Sequence, residues 1–239
     1  MLPIALIVFS HLLYLNSAKR EICQDGRDNI LWIQDIRPDS SVQFSEITLL
    51  TYDAARNPYC ASNEQGKKVG AIHLPGFIRI ASGLAKIAKQ VDKNAPLLLD
   101  LTIEHNSFFI GKVCEEGKSQ SSFVPDDVCS YDICQILAPV CDALGHIGKI
   151  SLAESHPELI PLYPAAFSYV EGEWKAQASL SQNGLILASV RASTSSNPDE
   201  SDLWCTVKLG DEEDENIFFE YIDPESAHTA QKHKPTDEL

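Results

Sequence analysis

Leu97-Leu98-Leu99-Asp100-Leu101-Thr102-Ile103-Glu104 decides the fold class. Leu97, Leu99, Leu101 and Ile103 alternate with Leu98, Asp100, Thr102 and Glu104, the period of two that sets one face of a β-strand on a core and the other in water. After His105-Asn106-Ser107 the chain resumes with Phe108 to Cys114, which predicts a hairpin with a short polar turn. A second hairpin follows from Trp174, Ala176, Ala178 and Leu180, which alternate with Lys175, Gln177 and Ser179. Asn183-Gly184 then supplies the positive φ angles of a tight reversal, and Leu185 to Ser193 returns. Val42 to Thr51 and Trp204 to Leu209 add strands, while the polar run Thr194 to Asp202 reads as loop.

Two segments are mixed. Phe77 to Gly83 reads as strand, but Ile80, Leu84, Ile87 and Val91 recur at helical spacing, so a short helix or basic loop is expected after Gly83. Ile133 to Gly145 predicts a short helix that Pro139 would kink or split. Many short strands with scattered turn signals and no internal repeat point to an all-β sandwich with one or two short helices.

Residues 2 to 15 form an apolar run followed by Ser17, Ala18 and the basic pair Lys19-Arg20, which predicts a cleaved signal peptide over 1–18. The run is too short for a membrane span, which needs about 20 apolar residues, and Ser10 and His11 interrupt it. Residues 19–209 then form the folded domain and 210–239 an acidic, flexible tail. Within that tail ten carboxylates against two lysines give −8 of the total net charge of −15. So acidic a chain repels phosphate backbones, which argues against a nucleic-acid partner. The C-terminal Thr236-Asp237-Glu238-Leu239 differs only at its first position from the signals that retrieve proteins to the endoplasmic reticulum. Seven cysteines in an exported chain imply three disulfides and one leftover thiol.

Enzyme signatures are missing. There is no Gly-x-Ser-x-Gly, His-Glu-x-x-His or paired Cys-x-x-Cys. Gly111 and Gly117-Lys118-Ser119 miss phosphate-loop spacing by one residue. The dispersed histidines make no metal set, and no cofactor is expected. An antibody-type domain also fails, because Trp32, Trp174 and Trp204 all lie outside the Cys60 to Cys141 interval.

Four stretches together resemble the ML-type lipid-recognition family, most closely its ganglioside activator branch. They are Cys23-Gln24-Asp25-Gly26-Arg27-Asp28, Pro96 to Glu104, Cys134-Gln135-Ile136-Leu137 with Cys141, and Gly172-Glu173-Trp174 through Leu180 to Gly184. The resemblance spans roughly 23–193. It implies an immunoglobulin-like two-sheet β-sandwich with an apolar inter-sheet cavity, and disulfides Cys114–Cys129 and Cys134–Cys141. It also implies that Cys23 ties the first strand to the last. In an ungapped match Ser189 stands where the last-strand cysteine should be, so Cys205 is expected to take that role and leave Cys60 free, with Cys23–Cys60 the alternative.

The resemblance further implies a non-enzyme that binds a glycolipid, phospholipid or sterol, visits membrane surfaces and serves a lipid hydrolase. Secretion or lysosomal delivery is expected, with retrieval to the endoplasmic reticulum if the C-terminus is read. Sheets packed at about 10 Å leave no room between them, and prying them apart exposes apolar surface at about 25 cal/mol per Å2, so an open gap calls for an apolar guest. Leu99, Leu101, Ile103, Phe109, Trp174, Ala176 and Leu180 are expected to line it. The contrasting expectation is a closed sandwich that binds another protein in the lumen or outside the cell.

Overall fold

The computed structural model describes residues 22–222, apart from 64, 93–94, 123, 137 and 164–169. The expected signal peptide and the Thr236–Leu239 signal lie outside the described residues. Strands run β1 Ile30–Asp35, β2 Val42–Tyr52, β3 Cys60–Ser62, β4 Lys68–Gly70, β5 Ile72–Leu74, β6 Gly76–Ile87, β7 Leu98–His105 and β8 Lys112–Glu115. They continue with β9 Lys118–Ser119, β10 Ser130–Asp132, β11 Gly148–Ser151, β12 Ile160–Leu162, β13 Gly172–Gln182, β14 Leu185–Ser193 and β15 Cys205–Leu209. The helices are α1 Ile133–Ile136, α2 Ala138–Leu144, α3 Leu152–Ser155 and α4 Glu212–Ile222.

The molecule is all-β at heart. One large sheet has the order β11-β6-β2-β1-β14-β13-β7-β8-β9, with β10, β12, β15 and β5 attached off that path, and β3-β4 pair separately. Its spine is the two hairpins legible in the sequence. β7 pairs with β13 from Leu98↔Ser181 to His105↔Trp174, and β13 returns into β14 through Asn183 (φ 52) and Gly184 (φ 76). Phe44 and Ile47 of β2 line the same hollow as Leu99 of β7, although β1, β14 and β13 lie between their strands. The sheet must therefore curl, and its two halves make the layers of the sandwich.

Four corrections to the sequence reading have physical causes. β6 runs on to Ile87 instead of turning helical after Gly83, because β11 closes on its far side with Lys149↔Lys86 and Ser151↔Leu84. The helical spacing of Ile80, Leu84 and Ile87 marks no single face, since Leu84 is exposed while Ile87 is buried. Ser45↔Leu84 and Thr48↔Ser82 leave Glu46 and Ile47 opposite the single residue Gly83, and Glu46 takes φ 54. Second, Cys23 pairs with Cys60 and not with Cys205; the other disulfides are Cys114–Cys129 and Cys134–Cys141. Cys205 is buried in β15 opposite Trp174, where it packs as a small apolar side chain. Third, the chain after 209 is not all tail, since α4 docks on the sheet with Phe218 fully buried. Fourth, the β7–β8 turn carries Phe109 out into solvent and away from the hollow.

Gly83 carries φ +142, and a Cβ built there would stand 2.9 Å from Cγ1 of Ile47. Gly83→Ala should therefore lower stability by about 1–3 kcal/mol through backbone strain and crowding of a core side chain. A urea midpoint unchanged from wild type would show that the bulge yields.

Burial pushes the Cys205 thiol up to about 12 from an ordinary 9.0. As pH rises the unfolded thiol ionises first, so above about pH 9 the unfolded chain binds fewer protons than the folded one and stability falls until about pH 12. Cys205→Ala should flatten that alkaline decline. Iodoacetamide should label the native protein at no thiol and the urea-unfolded, unreduced protein at one; rapid native labelling would contradict the burial.

Candidate functional site

The concave face of the curled sheet carries a hollow of about 130 Å3 whose exposed walls are wholly apolar. Strand alternation and register assemble it. Leu99 on β7 stands opposite Leu180 on β13, which stands opposite Ala188 on β14, while Ala178 faces Val190 one pleat further on. Phe44 and Ile47 enter from β2. An odd separation of three would place them on opposite faces of a regular strand, and the bulge at Glu46 brings both inward. Ile133 of α1 and Leu144 of α2 close the hollow from above. The Cys134–Cys141 disulfide clips these two helices together, with Cα atoms 5.1 Å apart, and both cysteines pack against the same core cluster.

Polar anchors hold the walls without entering the hollow. Asp100, on the opposite pleat from Leu99 and Leu101, accepts from Ser130 Oγ at 2.7 Å and from Ser181 Oγ at 2.7 Å, so one carboxylate ties β7 to both neighbouring strands. The buried Gln182 side chain donates to Asp92 O (2.8 Å) and Ala95 O (3.0 Å) and accepts from Asp92 N (2.9 Å). The loop leading into β7 is thereby fixed to the end of β13. Burial raises the Tyr131 phenol above its ordinary value, with the Asp127 charge adding to the shift. None of the residues lining the hollow is ionisable, so its chemistry is that of exclusion from water.

Six of the seven expected lining residues share one sheet face, because Leu99, Leu101 and Ile103 pair in register with Leu180, Ala178 and Ala176, and Trp174 continues that row. They do not share one cavity. Leu99 and Leu180 wall the hollow, whereas Ile103 and Trp174 are core residues packed with Val113, Val124 and the Cys114–Cys129 disulfide, and Leu101 leans on that cluster. Ala176 is half-buried between them.

Phe109 is the correction. It is 94% exposed, and the turn expected at 105–107 extends to Gly111, whose N–H donates to Ser107 O at 2.9 Å. That longer turn carries Phe108 and Phe109 to its tip. Sequence reasoning missed Phe44, Ile47, Ile133, Leu144, Ala178, Ala188, Ser189 and Val190; the alternation through Leu180, and its continuation along Leu185 to Ser193, would have found Ala178, Ala188 and Val190.

A second depression, about 1010 Å3, opens between the 53–60 loop and α4, lined by Asp53, Tyr59, His73, Asp211, Glu213 and Asp214 among others. Tyr59 rests edge-on against His73 with centroids 4.9 Å apart, and burial raises its phenol, helped by the charges of Glu171, Asp53 and Asp214. Among the described residues no group of His, Cys, Asp and Glu could hold a metal ion, and no helix is long and apolar enough to cross a membrane.

No protein-family model matches this chain, and no curated protein matches it.

Proposed function

We propose that this protein is a carrier of apolar lipid groups: a non-enzymatic, exported β-sandwich that holds the acyl tail of a glycolipid or phospholipid, or a sterol, against the concave face of its sheet. The observation that carries the reading is the hollow walled by Phe44, Leu99, Ala178 and Leu180 with no polar surface. An apolar cavity of about 150 Å3 stays dry and takes up benzene, so a hollow of similar size accommodates one six-carbon segment. Longer tails require the disulfide-clipped α1–α2 cover to lift. The likeness to the ML-type lipid-recognition family is part of the same proposal, as is delivery of the lipid to a hydrolase or a second membrane.

Three disulfides are compatible with an oxidising, secretory-pathway location. A signal peptide over 1–18 and retrieval through Thr236–Leu239 belong to the proposal. The second reading, a luminal protein-interaction sandwich without lipid, is favoured by the acid-lined depression beside α4, which would suit a cationic partner.

Titration with a fluorescent fatty acid separates the two. The carrier reading expects saturable binding that Ala178→Phe, whose ring fills the hollow, abolishes; equal binding by both proteins would place the probe elsewhere.

A further inference from the structure

The tip of the β7–β8 hairpin presents Phe108 at 99% and Phe109 at 94% exposure, with Ile110 at 37% beside them. The two rings meet edge to face, centroids 5.8 Å apart. A turn needs no phenylalanine, and two rings exposed in the folded as in the unfolded state contribute nothing to folding. From these observations we propose that the Phe108-Phe109 tip is a wedge that inserts into the interfacial zone of a zwitterionic lipid bilayer.

The backbone of the tip is largely self-satisfied, as entry into lipid requires. Asn106 N donates to Glu173 O (2.9 Å), Ser107 N to His105 O (2.8 Å) and Gly111 N to Ser107 O (2.9 Å). The Ser107 hydroxyl accepts from Phe109 N at 3.2 Å and from Ile110 N at 3.4 Å. A turn exposed to water has no need to satisfy its own N–H groups, because solvent does so. A segment that leaves water must satisfy them internally.

Area points the same way. Two phenylalanine rings offer on the order of 300–500 Å2, short of the roughly 800 Å2 per partner that a stable protein interface buries. A bilayer asks for no complementary surface. The net charge of −15 selects the lipid class, since an anionic membrane repels the chain and a zwitterionic one does not. The only cation on this hairpin's return strand, Lys112, is paired with Glu115.

The wedge gives the proposed carrier a membrane contact but does not use its hollow. Leu99 and His105 are six residues apart on β7, so the tip and the hollow lie roughly 20 Å from each other at strand rise. The two readings therefore fail separately: loss of vesicle binding leaves cargo in the hollow untouched, and an empty hollow leaves the wedge.

The test is flotation of the full-length protein with phosphatidylcholine vesicles and with vesicles in which about a third of the lipid is phosphatidylserine, an anionic fraction high enough to repel the chain. Wild type should float with the first and less with the second. F108A/F109A should partition about 100-fold more weakly while its thermal unfolding is unchanged, because the rings pack only on each other at the solvent-exposed tip. Phe109→Trp gives a readout independent of truncation: its added emission should shift blue with phosphatidylcholine vesicles and be quenched by brominated acyl chains. Wild type that stays with the soluble fraction, or a double variant that floats equally well, overturns the proposal. So does a concentration-dependent dimer in sedimentation that the double variant abolishes, which would assign the tip to a second copy.

Discussion

Phe218→Ala should lower the unfolding free energy by about 3–5 kcal/mol, the range for removing a fully buried aromatic ring. Phe218 is 0% exposed, lies 5.0 Å from the Phe77 ring and 5.4 Å from that of Tyr163, and belongs to a core cluster with Leu50, Tyr52 and Ala54. The effect is expected because α4 is fixed at its start as well as through this ring. Asp211 Oδ1 accepts from Glu213 N at 2.9 Å and Asp214 N at 3.1 Å, capping the first turn, and the acidic residues that follow suit the positive end of the helix dipole. Urea unfolding measures it. A loss below about 1 kcal/mol would mean that the helix is an appendage, since surface substitutions stay within that range.

Replacing Cys23 and Cys60 together by serine should cost about 4 kcal/mol. Their bridge closes a loop with a separation of 37 residues, and the chain-entropy relation for that length gives this value. The segment behind Cys23 has other fastenings. The fully buried Asn29 donates to Thr51 O at 3.0 Å and accepts from Gly26 N at 2.8 Å, and Tyr52 Oη donates to Asp25 Oδ1 at 3.0 Å. The double variant should thus retain a cooperative transition at a lower midpoint. Non-reducing peptide mapping of wild type should recover Cys23 linked to Cys60, and a Cys23–Cys205 peptide would contradict the fold around β15.

What the sequence made legible follows from how local each signal is. The β7 strand and the β13–β14 hairpin declare themselves through alternation and through Asn183-Gly184, so the spine of the sheet and six residues on its inner face could be read directly. The bulges on β2 and β6 could not. One unpaired residue shifts the face of everything beyond it, which hid Ile47 from the hollow, and the outward-facing Leu84 gave β6 a helical spacing that its burial does not follow. The Phe109 misplacement has a similar origin, because a Ser107-centred turn lengthens the hairpin tip through hydrogen bonds that composition does not announce. Cysteine spacing left both partners of Cys23 open, since three-dimensional proximity of Cys60 depends on the whole β1–β4 path. The acidic run after Gly210 resembled a solvated tail by charge alone, yet Asp211 followed by Ile217-Phe218 carried a helix start and an apolar anchor.

The carrier function requires that the apolar hollow under α1 and α2 hold a lipid chain. Native mass spectrometry of the protein purified from the secretory pathway of expressing cells tests it most directly. A lipid carrier shows a population heavier than the bare chain by the mass of an acyl lipid, absent from Ala178→Phe at equal thermal stability. A spectrum containing the bare mass alone, unchanged after incubation with lipid vesicles, would contradict it.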